Sequence, residues 1–484
     1  MIRIYNHYIS KMVSVLLLVE IVVLVASVYL GTAIRFFNVN YSSTSQHSQQ
    51  LDNVFLWACV FALVMVFSMS ALGMYQYNFK EDLRKIFLRL MPSLALGFCI
   101  ITLVFYLAPD LYFGRGILAL VIMIAGAGIL LTRLVFFKTF EFRLVNSRII
   151  FLGGGTLAKE CSELAVNIGH NQYDVVGFVP MQDEECCVPS SSLLPVGESL
   201  VSIANKYNAS EIVVAVQDRR NGSISANGKF NPLTGLNNRK PIRELLECKL
   251  AGVNVIDAAT FFEREACQIR LDSLQPSWLV FGGGFDQSFL RAFSKKIFDL
   301  LASLIILMVS LPVMLITAIC IFIEDRAPIF YQQERVGKDG HTFMVLKFRS
   351  MRNDAEAVGQ PQWATTDDPR TTRVGRVIRK LRIDELPQIL NVLKGEMSFV
   401  GPRPERPYFV KQLCEEVPYY NVRHSIKPGI TGLAQVRYQY GASVNDAIQK
   451  LQYDLYYVKN NSLFLDFLVL IDTLQVVLLG KGAR

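Results

Sequence analysis

The chain has few charged residues for its length and lacks the cysteine patterns of zinc sites and disulfide-rich domains. Asp, Glu, Lys and Arg make up 19% of the 484 residues, whereas soluble proteins carry about 25%. The nine cysteines include no Cys-x-x-Cys pair, so we expect reduced thiols and no zinc site. The shortage of charge is concentrated in uncharged runs near the start and around residue 300, which indicates a membrane protein.

The first apolar run has no small-residue cleavage signature, so it is predicted to be an anchor rather than a signal peptide. Four segments are long enough to cross a bilayer: residues 12–34, 53–77, 90–108 and 116–137. Basic residues are concentrated in the loop 80–89, so the positive-inside rule places the N-terminus, this loop and everything after residue 138 in the cytoplasm. The embedded charges Glu20 and Arg133 lie off-centre, so we expect anchoring and no transport path.

Residues 141–270 are predicted to form a Rossmann-like α/β domain, because RIIFLGGGTLAKECSEL has the pattern of a strand, a glycine turn and a helix. The positions that fit G-x-G-x-x-A are Gly153, Gly155 and Ala158. They are weak cofactor-binding candidates, since a ribose-binding acid should end the second strand. That strand instead ends at Pro180, and Asp183 comes late. A structural or regulatory module is therefore favoured over a dinucleotide site.

Two segments around this domain are predicted to be flexible. Residues 217–240 are rich in Asn, Gly and Arg and are typical of a mobile loop. Residues 271–294 form a predicted linker, with a hinge in FGGGF at 281–285. The last predicted domain follows at residues 295–484.

An uncharged run from Leu300 to Ile323 carries Pro312 near its middle. Proline removes one helical hydrogen bond and clashes with the preceding turn. The domains before and after this run are both expected in the cytoplasm, so a simple span is disfavoured. We therefore predict a re-entrant helix that breaks at Ser310 and Pro312.

The segment LRIDELPQILNVLKG at 381–395 places two carboxylates, Asp384 and Glu385, among apolar residues. Adjacent helical residues point about 100° apart, so the two side chains are expected to have different roles. Carboxylates also bind Mg²⁺ together with substrate phosphates, which makes both residues candidate metal ligands. The helix is predicted to begin near the pair, since Pro387 suits a first turn. The residues predicted to pack this helix against the core or the bilayer boundary are Leu381, Leu386 and Ile389.

Basic residues surround this pair in the sequence. Most of one cluster is expected to face lipid headgroups, and its members are Arg370, Arg373, Arg376, Arg379, Lys380 and Arg382. Arg403 stands between Pro402 and Pro404, which restrict the backbone on both sides of it. Its guanidinium group is suited to bidentate binding of phosphate. The other expected substrate-binding residues are Lys347, Arg349, Arg379 and Lys427, the last beside the glycines of IKPGITG. Together these residues indicate phosphoryl transfer near a membrane.

Residues from about 291 to the end resemble the bacterial sugar transferases, which are polyprenyl-phosphate glycosyl-1-phosphate transferases. The resemblance is carried by KIFDLLASLIILMVSLPVMLITA, FYQQERVGKDGHTFMVLKFRSM, DPRTTRVGRVIRKLRIDELPQILNVLKGEMSFVGPRP, KPGITG and DLYYVKNNSLFLD. The whole chain resembles the large form of the exopolysaccharide subgroup. Two positions depart from the family pattern: Leu311 stands where small members carry serine, and Leu433 where tryptophan is common.

The resemblance implies a UDP-sugar donor, undecaprenyl phosphate as acceptor, and a requirement for Mg²⁺. It implies that Asp384 attacks the sugar-side phosphorus to give a phosphosugar-aspartyl intermediate, and that Glu385 assists. The family's phosphate-handling arginine corresponds to Arg403, its later acidic residue to Asp454, and its helix break to Pro312.

The expected fold class is a multi-domain membrane protein with a four-helix transmembrane bundle at 1–140, a Rossmann-like middle domain and an α-rich monotopic catalytic domain. It is expected in the bacterial inner membrane with the catalytic domain on the cytoplasmic face. A homodimer is plausible, and no nucleic acid partner is expected. The alternatives are a non-enzymatic scaffold for polysaccharide assembly and a nucleotide-sugar oxidoreductase, although no tyrosine has the lysine four residues later that short-chain oxidoreductases need. The identity of the sugar stays open.

Overall fold

In the computed structural model the chain forms two compact units. The first contains Tyr8–Ala266 with Met1–Arg3, and the second contains Cys267–Arg484 with Ile4–His7. The structure describes residues 2–4, 7–36, 54–75, 83–112, 114–140, 147–168, 173–181, 185–195, 198–216, 241–272, 288–326, 328–352, 370–438 and 443–479. Asp183, the loop 217–240 and the hinge 281–285 lie outside these residues. Two short strands, β1 (Ile2–Ile4) and β2 (His7–Ile9), precede the first helix.

Four apolar helices follow, and each is long and apolar enough to cross a membrane. They are α1 (Lys11–Phe36), α2 (Val54–Ala71), α3 (Leu83–Leu107) and α4 (Arg115–Phe140). All four overlap the predicted segments. Helix α3 begins earlier than predicted, because lysine and arginine are good helix formers and the helix continues into the basic stretch before the apolar run.

The two embedded charges of these helices form a buried ion pair. Arg133 Nε lies 2.6 Å from Glu20 Oε1, and both side chains are almost fully buried. The Tyr75 hydroxyl donates to the other Glu20 oxygen at 2.6 Å, and Arg133 also donates to the Met74 carbonyl at 3.0 Å. Since an unpaired buried charge is strongly destabilising, this network explains how the apolar helices hold two charges, and it joins α1 to α4.

The rest of the first unit contains a four-stranded parallel sheet with strand order β4-β3-β5-β6. Its strands are β3 (Ser147–Leu152), β4 (Tyr173–Val179), β5 (Glu211–Val214) and β6 (Asn254–Asp257). The helices of this part are α5 (Thr156–Ile168), α6 (Leu200–Lys206), α7 (Pro241–Leu250) and α8 (Ala258–Ala266). Short 3₁₀ segments lie at Pro109–Leu111 and Ser190–Ser192. The last four residues of β3 are buried, as expected for a central strand.

The glycine turn after β3 is in contact with the protein's own chain. Gly153 adopts a positive φ of 125°, a conformation that favours glycine. The Cys187 amide donates to the Gly154 carbonyl at 2.7 Å, and a Cβ atom on Gly154 would lie 3.1 Å from Cys186 Sγ. Because the chain itself approaches Gly154 this closely, the geometry favours the structural module over a dinucleotide site.

The second unit is mainly helical. Its helices are α9 (Phe289–Asp325), α10 (Arg373–Lys380), α11 (Ile389–Lys394), α12 (Pro407–Glu416), α13 (Leu433–Arg437), α14 (Val444–Lys459) and α15 (Leu463–Leu479). Its strands are β7 (Phe330–Val336) and β8 (Thr342–Phe348), which form an antiparallel hairpin, and β9 (Ser398–Val400) and β10 (Gly429–Thr431), which pair in parallel. Further 3₁₀ segments are Lys338–Gly340, Ile383–Gln388 and Tyr420–Ser425. The core centres on α14, whose Leu455 and Tyr456 are fully buried.

Helix α9 is continuous over its 37 residues, and Pro312 lies inside it. The helical assignment is therefore uninterrupted at Ser310 and Pro312, and the predicted break, as a bend of the helix axis at the proline, stays a prediction. A proline removes the one amide hydrogen bond that its own nitrogen would donate, and the turns on both sides of Pro312 stay helical. Whether α9 returns to the side from which it entered is a separate matter of topology.

Helix α9 carries polar residues on its buried side and apolar residues on its exposed side, which is the reverse of a helix on the surface of a water-soluble protein. The buried stripe includes polar residues at three- and four-residue spacing: Asp299, Ser303, Ser310 and Thr317, together with Met314 and Ile321. The opposite side exposes Met308, Val309 and Ile323, each more than 70% accessible. An exposed face that is more apolar than the buried one suits contact with lipid rather than water.

Candidate active site

The two carboxylates lie in a 3₁₀ segment between two short helices. Helix α10 ends at Lys380, and Arg382 then adopts a left-handed conformation with φ 59°. This conformation ends α10 and redirects the chain into the 3₁₀ segment Ile383–Gln388. Because the left-handed region is unfavourable for a residue with a side chain, the backbone before the pair is held by its surroundings. A helix does begin near the pair, but its first turns are 3₁₀.

The packing of this segment follows the prediction in part. Ile389 is only 2% exposed, and Leu386 is partly buried against the cluster that contains Met314 and Phe348. Leu381, in contrast, is 57% exposed. It therefore belongs to the surface of the second unit rather than to its core.

Glu385 accepts hydrogen bonds from two cations on a single oxygen. Its Oε1 lies 2.8 Å from Arg403 Nη2 and 3.2 Å from Lys347 Nζ. Burial acts to raise the pKa of Glu385, but Arg403 and Lys347 hold that pKa well below its usual range. Glu385 is therefore a permanent carboxylate that orients the two cations.

Asp384 has different surroundings although it is the next residue. Burial raises the pKa of the Asp384 carboxyl, and the negative charge of Glu385 raises it further. Lys347, Arg403 and Arg379 lower that pKa without reversing the shift. Among the described residues, none forms a hydrogen bond or an ion pair with the Asp384 carboxylate. Its oxygens are therefore available to a ligand.

The position of Lys347 depends on contacts between β8 and α11. The amide of Leu346 donates to Asn391 Oδ1 at 3.0 Å, and Asn391 Nδ2 donates to the Met344 carbonyl at 2.8 Å. Asn391 is buried, so breaking these bonds would leave polar groups without partners, at a cost of about 1–3 kcal/mol each. The hairpin thus holds Lys347 opposite Glu385.

Basic charge exceeds acidic charge around the pair. The positive charges that act on the pKa of Asp384, Glu385 or Lys347 belong to Lys347, Arg403, Arg379, Arg382 and Arg335. Such an excess attracts a polyanion such as a diphosphate. The structure therefore brings together Asp384 and Glu385 with three of the predicted substrate-binding residues. Arg335 was missed, since in the sequence it is one of four consecutive polar residues in the strand FYQQERV.

The other three predicted substrate-binding residues are not among these positive charges. Asp454 is 2% exposed and forms an ion pair with Arg423 at 2.8 Å, so in this structure it is not accessible to a substrate. Lys427 Nζ lies beside Gly395, at the far end of α11 from the carboxylates, about 15 Å away at 1.5 Å per helical residue. Arg349 is 7% exposed, one residue beyond β8. Motif order along the chain could not reveal these separations.

The residues fit a magnesium ion only as part of a shared site. Within the described residues no group of three or more His, Cys, Asp or Glu side chains could hold a metal. Mg²⁺ is usually bound by one or two carboxylates together with water and substrate phosphates. Asp384 and the second oxygen of Glu385 suit that arrangement, with the phosphates of a donor completing it.

Comparison with known proteins identifies the family. A model of the family described as bacterial sugar transferase matches residues 290–480. Over 242 residues the chain is 44% identical to the UDP-N-acetylgalactosamine-undecaprenyl-phosphate N-acetylgalactosaminephosphotransferase of Aeromonas hydrophila, covering 50% of this chain and 56% of that protein. Over 194 residues it is 39% identical to the undecaprenyl-phosphate glucose phosphotransferase of Komagataeibacter xylinus, covering 39% and 36%.

A third relative is matched almost completely. The exopolysaccharide production protein PSS of Rhizobium leguminosarum bv. phaseoli is 41% identical over 194 residues, which are 39% of this chain and 97% of that protein. The match to each of the other two relatives spans less than two thirds of its length. The matched region contains both carboxylates and the cations that surround them, and the chain belongs to the bacterial sugar transferase family.

Proposed function

We propose that the second unit transfers a sugar 1-phosphate from a UDP-sugar to undecaprenyl phosphate, giving a polyprenyl-diphosphate sugar and UMP. This would be the initiating step of exopolysaccharide assembly. The observation that carries the proposal is the division of roles between the carboxylates. Glu385 binds Lys347 and Arg403, whereas Asp384 keeps its oxygens available beside the same cations. The names of the relatives support a polyprenyl-phosphate acceptor.

In the first step an oxygen of Asp384 attacks the phosphorus next to the sugar. A bond forms between that oxygen and phosphorus, and the bond from phosphorus to the bridging oxygen breaks, so UMP leaves with the electron pair. In the second step an oxygen of undecaprenyl phosphate attacks the same phosphorus and releases the Asp384 carboxylate. Two displacements replace one difficult transfer between two anions.

The cations have a direct part in both steps. Arg403 and Lys347 are positioned to neutralise the charge of the transferring phosphate and of the leaving UMP. Asp384 must be ionised to attack, so its raised pKa places a lower limit on the pH of activity. Mg²⁺, held by Asp384, Glu385 and the donor phosphates, would supply further neutralisation of the diphosphate.

The architecture is proposed to serve this reaction at a membrane. We propose that α1 to α4 form a transmembrane bundle, that the parallel sheet of the first unit is a Rossmann-like module, and that α9 enters and leaves the inner membrane on its cytoplasmic side. The homodimer and the cytoplasmic location of the active site belong to the same proposal. The contact of Cys186 and Cys187 with the glycine turn does not favour the alternative of a nucleotide-sugar oxidoreductase.

The test uses purified protein in nanodiscs with Mg²⁺, undecaprenyl phosphate and a panel of UDP-glucose, UDP-galactose and UDP-N-acetylgalactosamine. The native protein should release UMP from one donor, and turnover should require the lipid. Without lipid, a single burst of at most one UMP per protein and a phosphosugar adduct on Asp384 should be found by mass spectrometry.

The matched variants are Asp384→Asn and Asp339→Asn. Asp339 lies on the exposed β7–β8 connection in a left-handed conformation, which asparagine tolerates well, so its substitution should leave UMP release unchanged. Asp384→Asn should abolish it. If Asp384→Asn keeps glycan production in cells and UMP release in vitro, the enzyme proposal fails, and the scaffold alternative takes its place.

A further inference from the structure

The segment Gly401–Glu405 carries Arg403, which contacts Glu385, but its own backbone can form few hydrogen bonds within the segment. Pro402 and Pro404 have no amide hydrogen, and the segment belongs to neither a helix nor a strand. Its carbonyl groups are instead bound from outside. At the two ends, the Gly429 amide donates to the Pro402 carbonyl at 3.0 Å and the Val336 amide donates to the Glu405 carbonyl at 2.9 Å.

The two carbonyls in the middle are bound by two arginine side chains, of which Arg423 is buried and Arg335 is partly buried. Arg423 Nη2 donates to the Arg403 carbonyl at 2.9 Å, and Arg335 Nη1 donates to the Pro404 carbonyl at 3.1 Å. Four successive carbonyls are thus fixed by four donors from other parts of the unit. Because all four carbonyls are bound, the loss of one donor should change the backbone conformation next to Arg403.

Arg423 is held more firmly than a surface arginine could be. It is 5% exposed, its Nη2 lies 2.8 Å from Asp454 Oδ2, and its Nη1 donates to the Tyr420 hydroxyl at 2.6 Å. The guanidinium also stacks over the Tyr420 ring, 5.1 Å from its centroid. A planar fork can satisfy these partners together, whereas lysine has a single nitrogen and cannot reproduce the geometry.

We infer that Arg423, held in place by Asp454, is a positioning residue that fixes the Arg403 guanidinium against Glu385. Among the described contacts, Arg423 binds the main-chain carbonyl of Arg403 and does not bind Asp384 or Glu385. It therefore acts through Arg403. The kinetic part of the inference rests on the proposed function, while the structural part does not. The buried ion pair of Arg423 and Asp454, which is not accessible to substrate, thus acts by holding Arg403 in position.

The first measurement is hydrogen exchange by mass spectrometry on the full-length protein in detergent, comparing native protein with Arg423→Lys. Loss of a buried hydrogen bond from a charged donor should speed local opening of the segment about 10- to 100-fold. The increase should be confined to peptides that cover 398–409. Peptides from β8 and α14 should exchange as in the native protein.

The control is Arg437→Lys in the same unit. Arg437 is paired with Asp472 at 3.1 Å in a more exposed ion pair, and among the described contacts it makes no bond to the Gly401–Glu405 segment. Its substitution should leave exchange at 398–409 unchanged. Asp454→Asn is a second test variant of nearly native size, and it should give the same local effect to a smaller degree if Arg423→Lys fails to fold.

The second measurement is the steady-state kinetics of UMP release. We expect kcat to fall about 10- to 100-fold with KM for the donor changed less than about threefold, since the interaction is lost mainly in the transition state. Adding Arg403→Lys to Arg423→Lys should cause little further loss, because the two residues act as one unit.

The two measurements separate the possible failures. Unchanged exchange at 398–409 in Arg423→Lys overturns the inference, and so does faster exchange throughout the second unit, which would indicate a purely structural role. If the native protein releases no UMP from any donor, the proposed function fails, and the exchange measurement still decides the inference about Arg423.

Discussion

Asp384 and Glu385 are adjacent in the chain, yet their side chains meet different charges. Two cations contact Glu385 at hydrogen-bond distance, and its pKa is strongly lowered although burial opposes the shift. The pKa of Asp384 is raised by burial and by its neighbour. A pair whose pKa values are pushed apart in this way commonly divides its roles between chemistry and orientation, which fits one nucleophile and one supporting carboxylate.

The effect of Lys347 on this pair can be tested through pH. Its charge lowers the pKa of both carboxyls, so Lys347→Met should raise both. Because the proposed attack requires an ionised Asp384, the acid limb of UMP release should move to higher pH by about one unit, with lower activity at pH 6 than at pH 8. The control is Lys394→Met, on the exposed end of α11. An acid limb at its native pH in Lys347→Met would contradict the electrostatic account.

Helix α9 is bound to the second unit at both of its ends. Near its start, Lys295 forms an ion pair with Asp466 at 2.7 Å, and Asp299 accepts the Phe399 amide at 3.1 Å. Near its end, the Glu324 carboxylate accepts the amides of Arg373 and Val374 at 2.8 and 3.0 Å. These bonds hold both ends of the helix against one folded unit, which disfavours a helix that crosses the membrane to reach a different compartment.

Cysteine labelling of intact and opened vesicles tests this topology. In a cysteine-free protein, Lys296→Cys and Arg326→Cys, both at exposed positions, should react with an impermeant maleimide only after the cytoplasmic face is opened. Asp110→Cys, in the exposed connection between α3 and α4, is the control for the outer face and should react in intact cells. Reaction of Lys296→Cys and Arg326→Cys from opposite sides would exclude a re-entrant α9.

The beginning of the chain is part of the unit formed by its end. Ile4–His7 belongs to the second unit, where His7 is 8% exposed and its Nδ1 lies 2.8 Å from the Tyr456 hydroxyl. The His7 ring also meets the Tyr456 ring edge-on at 6.0 Å. Burial, and then the charge of Arg437, lower the pKa of His7 to about 4. The folded protein therefore holds His7 neutral at neutral pH.

This predicts a pH dependence of stability. The pKa of His7 is about 4 in the folded protein, against an ordinary value of 6.5 that we assign to the unfolded chain. The unfolded chain therefore binds the proton first, and stability should fall as pH drops from 6.5 towards 4. His424, with a pKa also lowered to about 4 by burial and by Arg423, adds a slope of the same sign. His7→Gln should therefore show a shallower fall than the native protein.

The measurement is the thermal unfolding midpoint in detergent between about pH 3.5 and 7.5, a range that spans both pKa values. His341→Gln, at an exposed position of the β7–β8 connection, serves as the control and should keep the native slope. Equal slopes for native protein and His7→Gln would show that His7 titrates alike in the folded and unfolded states, and would contradict its burial in the second unit.

Much of this organisation follows from local pattern. Apolar runs about 20 residues long indicate membrane helices, because the thickness of the hydrocarbon fixes their length. The neighbouring residues of Asp384, Glu385 and Arg403 likewise point to a phosphate site, because their chemistry depends on residue type and short spacing. The sequence marks Pro312 as a point where the helix can bend, but one missing hydrogen bond can also be tolerated within a long packed helix, and the sequence does not show what packs against it.

The class of protein, the apolar helices and the acidic pair with its arginine can be inferred from residues that lie close together in the chain. The folded structure is needed to show which cations reach Glu385, that Asp454 is buried against Arg423, and that Lys427 lies at the other end of α11. Those outcomes depend on contacts between distant elements, where burial and charge are set by neighbours that no local pattern specifies. The same is true of Glu20 and Arg133, which look isolated in the sequence and are partners in the fold.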